Sequence, residues 1–279
     1  MSAPEAVLEV EGIVKDFGLR QTLTERVTRV APTVHRAVDD VSFTLRRGEI
    51  LGLAGGSGSG KTTLARCLIR LVEPDAGAVR LGGADMLAAQ GRELRELRRR
   101  LQMVFQDPYA SLNPRMSVGD ALLEAGRVHR RPGAEDGERF VGALLERVHL
   151  SASFAERKPR ELSGGQRQRV AIARALAVDP EVIIADEAVS ALDVSVQAQL
   201  LRLFADLRAE LGVAIVFVAH QLAVIAEIAD RVAVMQTGRI VELGATADVF
   251  QSPQHEYTRA LLAAHPQPDP ARRMRAVVA

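Results

Sequence analysis

Residues 50–62 read ILGLAGGSGSGKT, a short apolar run that leads into a series of glycines, a lysine and a threonine. The glycine-rich half fits the pattern G-x-x-x-x-G-K-T. In that motif a strand leads into a loop whose backbone N–H groups surround phosphate oxygens, and a helix follows. The run Ile50–Ala54 predicts the strand, and residues 61–71 predict the helix. We therefore predict a phosphate-binding loop in which Lys61 contacts the β- and γ-phosphates and Thr62 binds Mg²⁺.

A second apolar run, Val182–Ala185, ends in two adjacent carboxylates, Asp186 and Glu187. A buried parallel strand delivers such residues to its carboxyl end, where open α/β sheets bind their ligands. Because successive strand residues face opposite ways, one carboxylate can serve Mg²⁺ while the next orients a water. We assign Asp186 to the metal and Glu187 to the water. Alone, this pattern more often marks a strand that meets a solvated loop, but its pairing with the phosphate loop favours the catalytic interpretation.

The rest of the chain alternates between strand and helix patterns, which predicts an α/β fold with a parallel sheet covered by helices. Near the N-terminus, Ala6–Ile13 and Val41–Leu45 alternate like strands, and the apolar spacing over 117–178 is helical. A turn is predicted at Glu73–Gly77. The remaining predicted elements are a helix at 93–100, a strand at 101–105, a helix at 196–211, a strand at 214–219, a helix at 222–229, a strand at 232–235 and an antiparallel pair at 238–243.

The chain has 279 residues, of which 47% are hydrophobic, so it can build one large domain or two modest ones. A formal net charge of +1 predicts no bulk attraction to nucleic acid or anionic lipid. The longest apolar run, Val213–Ala219, is too short to span a bilayer, and the N-terminus lacks a signal-peptide pattern. The one cysteine, Cys67, falls in an apolar helical pattern and is expected in the core. We therefore expect a soluble chain that reaches a membrane only through partners.

The segment Leu162–Arg169, here called the signature segment, reads LSGGQRQR and opens a helix with a hydroxyl and two adjacent glycines. Backbone N–H groups at a helix start have no partner within the helix, so they favour an anion. By itself the segment could be an ordinary helix N-cap. Together with the phosphate loop and the acidic pair, it resembles the ATP-binding cassette (ABC) family, in which this segment grips the nucleotide bound to a second subunit.

The likeness is to the ATP-hydrolysing subunit of ABC transporters, and it extends from about Leu8 to Ala264. It implies a P-loop NTPase fold: a RecA-like parallel sheet with flanking helices, an N-terminal antiparallel β subdomain and an inserted α-helical subdomain at about 108–178. The resemblance implies an ABC ATPase domain over residues 6–250. It also implies that two cassettes close head to tail around two Mg-ATP molecules.

Other family motifs match single residues. Phe17 matches the aromatic residue that stacks on adenine, and Gln106 matches the glutamine that touches Mg²⁺ and the attacking water. His220 matches the histidine that contacts the γ-phosphate, and Ser190–Asp193 match a loop at the subunit interface. Any one of these alone would more often be structural. The resemblance assigns catalysis to Lys61, Gln106, Glu187 and His220. It assigns Mg²⁺ to Thr62, Gln106 and Asp186. It assigns ATP to Phe17, Gly55, Gly56, Ser57, Gly58, Ser59, Gly60, Lys61, Thr62, Thr63, Ser163, Gly164, Gly165, Gln166 and Asp193.

Longer strings resemble one subfamily, the importers of oligopeptides, dipeptides and nickel. They are Met103–Arg115, Ser190–Gln199 and Tyr257–Leu262. This resemblance implies a short C-terminal extension of oligopeptide-transporter type at 251–279. It implies as partners a second cassette, identical or different, two membrane permease subunits and, indirectly, an extracytoplasmic solute-binding protein, with no nucleic acid. The chain is then expected at the cytoplasmic face of the cell membrane, where it powers the import of oligopeptides or dipeptides.

Four positions depart from the usual family pattern, and none of them removes a reactive group. Ala188 stands where a proline commonly follows the acidic pair, and Gln221 replaces an acidic residue after the histidine. Glu256 replaces the proline of a His-Pro-Tyr sequence, and Gly56 replaces a common glutamate in the phosphate loop. These changes bear on the turnover rate and on the geometry of the C-terminal segment.

Three alternatives remain open at this stage. The chain could energise import of nickel or another small solute, or it could be a non-transport ABC ATPase in a DNA or ribosome complex. The interval from Lys61 to Ser163 suits a compact helical subdomain rather than the long coiled coil of DNA-associated cassettes. A catalytically inactive interaction subunit is a third possibility. The basic stretch Arg92–Arg100 could contact lipid or nucleic acid, but interleaved glutamates favour a solvated helix face.

Overall fold

The computed structural model describes residues 5–18, 34–107, 112–190 and 192–264. Parts of two strings quoted above, 108–111 and 191, and the end of the C-terminal extension, 265–279, lie outside the described residues. The strands are β1 (Ala6–Gly18), β2 (Val34–Arg46), β3 (Ile50–Ala54), β4 (Ala76–Leu81), β5 (Ala84–Asp85), β6 (Leu101–Val104), β7 (Val182–Asp186), β8 (Ala214–Val218), β9 (Arg231–Gln236) and β10 (Arg239–Ala245). The α-helices are α1 (Lys61–Leu68), α2 (Gly91–Arg100), α3 (Val118–Val128), α4 (Gly137–Arg147), α5 (Gly164–Leu176), α6 (Val194–Leu211), α7 (Leu222–Ile228), α8 (Thr246–Gln251) and α9 (Glu256–Ala263).

The larger sheet has the order β10-β9-β3-β8-β7-β6. Its strands from β9 to β6 are parallel, and β10 pairs antiparallel with β9 at the edge. The prediction of a parallel sheet ending in an antiparallel pair is therefore confirmed. The order brings the carboxyl ends of β3 and β7 to the same edge of the sheet, with β8 between them. The phosphate loop and the acidic pair follow these two strands.

Helices cover both faces of this sheet, which explains why β3, β7 and β8 are buried along their whole length. Alternate residues of β7 enter different cores. Ile183 and Ala185 belong to one buried cluster, while Val182 and Ile184 belong to the other. Cys67 of α1 lies in the second cluster, as predicted, and burial raises the pKa of its thiol to about 11.

A smaller antiparallel sheet of order β2-β1-β4-β5 stands beside the first, as the family resemblance implies. Its strands β1 and β2 are longer than the sequence predicted. The turn predicted at Glu73–Gly77 is partly wrong, since β4 already begins at Ala76. Asp75 ends the turn, and its carboxylate accepts a hydrogen bond from the N–H of Asp16 at 2.7 Å. β4 was missed because its pairing partner, β1, lies far away in sequence.

Helices α3, α4 and α5 fill the interval between β6 and β7, where the helical subdomain was expected. Their apolar sides join the first core through residues such as Leu122, Leu145 and Val170. Ser117 caps α3: its Oγ accepts a hydrogen bond from the N–H of Asp120 at 3.1 Å. Among the described residues, no helix combines the length and apolar character needed to cross a membrane.

The basic helix α2 is partly a structural element rather than a solvated face. Arg98 donates hydrogen bonds to the carbonyl of Arg70, at 2.7 Å, and to a second carbonyl in the same turn. Arg99 donates to the carbonyl of Val178, and Arg100 pairs with Glu181 at 2.6 Å. These arginines bind carbonyl oxygens that follow α1 and α5 and a carboxylate before β7, which accounts for their density without lipid or nucleic acid.

Candidate nucleotide site

The phosphate loop joins β3 to α1, as the sequence predicted. Gly55 and Gly60 have φ angles of +149° and +100°, a region that side-chain-bearing residues rarely adopt. A Cβ atom on Gly55 would lie 2.3 Å from the carbonyl oxygen of Met235, and one on Gly60 would lie 2.2 Å from that of Ala37. These two glycines are therefore required by the loop's shape and by the close approach of neighbouring backbone.

Lys61 reaches back over this loop. Its Nζ donates hydrogen bonds to the carbonyl oxygens of Gly55 and Gly56, both at 2.9 Å, and to Ser59 Oγ at 3.1 Å. Burial lowers the pKa of the lysine, while the charges of Glu187 and Asp186 oppose that shift. The three N–H donors of the ammonium group are thus all bound to oxygens of the loop, at the position where phosphate oxygens are expected.

Thr62 and Asp186 meet at the end of β7. The Thr62 hydroxyl donates to Asp186 Oδ1 at 3.1 Å. Burial raises the pKa of Asp186, and the bond from Thr62 works in the opposite direction. A hydroxyl and a carboxylate oxygen held together are suitable ligands for Mg²⁺, a hard cation that binds through few protein groups. The donor set at this position therefore fits the predicted ion.

Glu187 has a left-handed backbone conformation, with φ at +48°, which is uncommon for a residue with a side chain. Its N–H donates to the carbonyl oxygen of Val218 at 3.0 Å, which fixes the residue beside β8. Glu187 Oε2 lies 3.6 Å from His220 Nδ1. The structure thus brings together the two residues that the sequence analysis assigned to the water and the γ-phosphate.

Ser190 links Gln106 to this pair. The amide nitrogen of Gln106 donates to Ser190 Oγ at 3.4 Å, and Ser190 Oγ donates to the carbonyl oxygen of Glu187 at 2.9 Å. Sequence reasoning placed Ser190 only in the subunit-interface loop and missed this role. No local signal could have revealed it, because the contact joins segments that follow β6 and β7.

A cavity of about 280 Å³ extends from the phosphate loop to the N-terminal sheet. Lys61, Thr62 and Glu187 line this cavity, and so does Phe17. His35 also lines this cavity, and sequence reasoning missed it. The strand pairing could have identified it, because His35 of β2 lies directly opposite Phe17 of β1 in the antiparallel register. Phe17 keeps 40% of its surface exposed, so its ring is available to a ligand.

The signature segment begins α5, as predicted. Ser163 Oγ accepts a hydrogen bond from the N–H of Gln166 at 3.3 Å, and the Gln166 side chain accepts one from the N–H of Ser163 at 3.0 Å. Gly165 also has a packing reason to lack a side chain, since a Cβ there would lie 2.4 Å from Val196 of α6. Among the described residues lining the 280 Å³ cavity, none comes from positions 163–166.

Asp193 caps α6. Its Oδ1 accepts hydrogen bonds from the N–H of Val196 at 2.9 Å and from Ser195 Oγ at 2.7 Å. These bonds, the first of them most strongly, hold the pKa of Asp193 below its usual value. One chain therefore presents two separate groups of predicted residues: the phosphate-loop cavity, and the signature segment packed against the start of α6. A role for Asp193 at ATP stays a prediction.

A P-loop nucleotide-binding protein is the class that this fold and site define, because the loop, its lysine and the paired hydroxyl and carboxylate meet at one sheet edge. The comparison with family models is more specific. Residues 38–190 match the model described as "ABC transporter", and residues 241–278 match "Oligopeptide/dipeptide transporter, C-terminal region". The chain belongs to the ABC transporter family.

Curated relatives are similar along nearly the whole chain. The Glutathione import ATP-binding protein GsiA of Pectobacterium atrosepticum is 50% identical over 271 residues, which are 97% of this chain and 43% of that protein. GsiA of Salmonella typhimurium is 51% identical over 268 residues, which are 96% of this chain and 42% of that protein. The chain thus spans less than half the length of the curated relatives that it matches.

Solved structures agree with the fold. The ATP-binding cassette MJ0796, in a dimeric post-hydrolysis state bound to ADP and Pi, superposes with a TM-score of 0.73 at 27% identity, over 86% of this chain and 98% of that chain. CbiO1 from Clostridium perfringens, part of the ABC transporter complex cbiONQ, superposes with a TM-score of 0.74 at 26% identity. The superposition covers 92% of this chain and 95% of that chain. The predicted fold class is therefore confirmed.

Proposed function

We propose that this chain hydrolyses ATP as one of two paired cassettes, and that this cycle powers the import of short peptides. One observation carries the proposal. Lys61, Thr62 and Glu187 line one cavity with Phe17, and Asp186 is hydrogen-bonded to Thr62. Hydrolysis of a nucleoside triphosphate requires a cation at the phosphates, oxygen ligands for a metal and a carboxylate for the water. An aromatic ring for the base completes the set.

Each residue then has a distinct task. Lys61 donates to phosphate oxygens, and Thr62, Asp186 and Gln106 hold Mg²⁺, which neutralises phosphate charge when bound. Glu187 accepts a hydrogen bond from the attacking water and orients it in line with the γ-phosphate. His220 donates to the γ-phosphate from a position 3.6 Å from Glu187. Most of the rate gain comes from positioning and charge neutralisation.

The second cassette supplies the missing half of the site. Ser163 and the N–H groups of Gly164 and Gly165 begin α5, where the helix dipole favours an anion. This helix start is not part of the cavity in its own chain, as the described lining residues indicate. We therefore propose that it contacts the γ-phosphate held by the partner cassette. The dimeric arrangement named for MJ0796 supports this reading.

The proposed docking place of the permease partners lies beside Gln106. A cavity of about 410 Å³ lies between β6, α3 and α5 and is lined in part by Met103, Phe105 and Val128. Val128 is 71% exposed, so its apolar side chain is accessible to a partner at the cleft. We propose that a segment of one permease subunit occupies this cleft, and that the second permease subunit binds the same cleft of the partner cassette. The chain would then be bound peripherally at the cytoplasmic face of the membrane, and a solute-binding protein would act on the opposite side of the membrane.

We propose a short peptide as the cargo. The names of the GsiA relatives, and the family match at 241–278, support a short peptide of the glutathione kind. We keep the ABC ATPase domain at 6–250 and the extension at 251–279 as proposed boundaries. Nickel import and non-transport roles are the alternatives to be separated by experiment.

Mixing two inactive variants tests the paired site. Lys61→Ala disables the phosphate loop of its own chain, and Ser163→Arg disables the signature segment, so neither pure dimer keeps an intact site. A hybrid dimer retains one. If chains exchange freely, an equal mixture should recover about a quarter of the wild-type ATPase rate, since half the dimers carry one of two sites.

The matched control mixes Lys61→Ala with Glu187→Gln. Both changes damage the phosphate-loop side, so their hybrid contains no intact site and should stay inactive. If both mixtures have the same rate, the head-to-tail pair is wrong.

Copurification from host membranes tests the transport role. We expect the chain to copurify with permease subunits. Recovery of DNA-repair or ribosomal proteins instead would favour the rival class.

A further inference from the structure

The C-terminal helix α9 holds one peptide group of the phosphate loop. The N–H of Gly56 donates a hydrogen bond to the phenol oxygen of Tyr257 at 2.9 Å, across 201 residues of sequence. The carbonyl oxygen of Gly55, in the same peptide group, accepts from Lys61 Nζ at 2.9 Å. The peptide that opens the loop is thus restrained from both sides, by its own lysine and by a tyrosine of α9.

The contact is close as well as hydrogen-bonded. A Cβ atom on Gly56 would lie 3.1 Å from the Tyr257 oxygen, tighter than ordinary van der Waals contact. Gly56 is one of the positions that departs from the family pattern, where a glutamate is common. The departure leaves space beside the loop, and the tyrosine hydroxyl occupies it.

Tyr257 is itself firmly positioned. Glu242 of β10 accepts hydrogen bonds from the N–H groups of Gln254, at 2.8 Å, and His255, at 3.1 Å. The imidazole of His255 caps α9 by accepting from the N–H of Tyr257 at 3.2 Å. Leu262, on the following turns, is buried in the first core. The phenol oxygen therefore sits where the fold holds it and not at the end of a loose tail.

We infer that Tyr257 is a positioning residue of the phosphate loop, through which docking of α9 and binding of nucleotide support each other. This inference rests on the proposed function, in which the loop holds ATP. Two adjacent glycines lose much conformational freedom when they become ordered, so a restraint in the free protein reduces what the ligand must supply. Binding a phosphate takes at least one donor of Lys61 away from the loop, and Tyr257 then provides more of the restraint.

Linkage makes the effect reciprocal. If α9 in its docked state raises the affinity for ATP, then ATP stabilises the docked state by the same factor. Anything that pulled the C-terminal segment away would weaken nucleotide binding, and nucleotide loss would loosen the segment. The extension would then report the state of the site to whatever it touches.

The test compares Tyr257→Phe with the wild-type chain. Phenylalanine keeps the ring and removes only the hydroxyl, so the packing of α9 should survive. ATP affinity should fall about fivefold, the effect of one lost hydrogen bond, with kcat less changed than KM. Amide exchange in the segment 55–61 should become faster in the nucleotide-free protein. Protection of the segment 254–264 by ATP should shrink.

A matched control removes a hydroxyl from the same part of the chain without touching the loop. Thr246 Oγ1 donates to the carbonyl oxygen of Ala229 at 2.8 Å, so Thr246→Val loses a buried hydrogen bond there. This variant should lower the melting temperature but leave ATP affinity and exchange at 55–61 unchanged. A double-mutant cycle with Gly56→Ala adds a second measure, because residues in contact should give non-additive changes in affinity.

Three results would overturn the inference: unchanged exchange at 55–61 in Tyr257→Phe, equal loss of affinity in Thr246→Val, or additive effects in the cycle. The exchange measurement separates this inference from the proposed function. If the wild-type chain fails to bind ATP, the proposed function is wrong. Exchange at 55–61 in the free proteins still shows whether Tyr257 restrains the loop.

Discussion

Replacing Glu187 by glutamine separates the chemistry of the site from its architecture. The backbone of this residue is held on both sides: its N–H donates to the carbonyl oxygen of Val218, and its own carbonyl accepts from Ser190 Oγ at 2.9 Å. Glutamine has the same shape and leaves these bonds in place. We therefore expect the free energy of unfolding of Glu187→Gln to stay within about 0.5 kcal/mol of the wild type.

The cost to catalysis should be large. The side chain of Glu187 is only 20% exposed, and its Oε2 faces His220 Nδ1 at 3.6 Å, so little bulk water competes for it. An amide cannot accept the proton of the attacking water. Loss of one such group should lower kcat by about 10²–10³-fold, or roughly 2.7–4 kcal/mol of barrier. Lys61 and the loop remain, so the affinity for ATP should change far less than kcat.

Phosphate release gives kcat, equilibrium titration gives the affinity, and size-exclusion chromatography with ATP shows whether a closed dimer accumulates. Glu210→Gln is the matched control, because it makes the same substitution on the exposed side of α6. The control should hydrolyse ATP as the wild type does. If Glu187→Gln also hydrolyses ATP at the wild-type rate, the assigned role is wrong. If it fails to bind ATP, the carboxylate serves binding rather than water.

Three further predictions use pairs of similar positions or the charge of the site. Ser163→Ala and Ser117→Ala each remove a helix cap and should each cost about 1 kcal/mol in urea unfolding, but only Ser163→Ala should abolish ATPase activity. Gly60→Ala should lower the free energy of unfolding by about 2 kcal/mol or more, and by more than Gly83→Ala does. Gly83 has a similar φ of +80°, but the space around it is open. Asp186→Asn should raise the melting temperature of the nucleotide-free chain at pH 7 by roughly 2–4 °C while abolishing ATP hydrolysis.

The direction of the pKa shift of Asp186 predicts how the gain in melting temperature of Asp186→Asn depends on pH. Burial raises the pKa of Asp186 above 3.8, so the folded chain binds a proton more readily than the unfolded chain. The cost of the buried charge is present at pH 7 and is relieved as the pH falls through the raised pKa toward 3.8. The gain in melting temperature should therefore shrink over that window. A gain that grows on acidification would contradict this account.

How much the sequence could predict depended on the distance over which each feature is encoded. The bounds of β3 were predicted correctly, because an apolar run there is closed by glycines. The Ser163 cap was also predictable, since its hydroxyl and its N–H partner are three residues apart. In contrast, β4 could not be predicted from local sequence, because it depends on pairing with the distant strand β1. The contact between Gly56 and Tyr257 joins residues 201 positions apart, so it depends on the folded arrangement of nearly the whole chain.

Buried charge explains why the site should respond so strongly to its ligand. Burial disfavours the ammonium form of Lys61 and the carboxylate form of Asp186, so it lowers the pKa of the lysine and raises the pKa of the aspartate. A polyphosphate beside Lys61 and a divalent cation beside Asp186 would each stabilise the charged form. Ligand binding would thus relieve two costs that the free chain carries, in addition to making new bonds. Mg-ATP should therefore stabilise the wild-type fold more than it stabilises Lys61→Ala or Asp186→Asn, even at concentrations that saturate each protein.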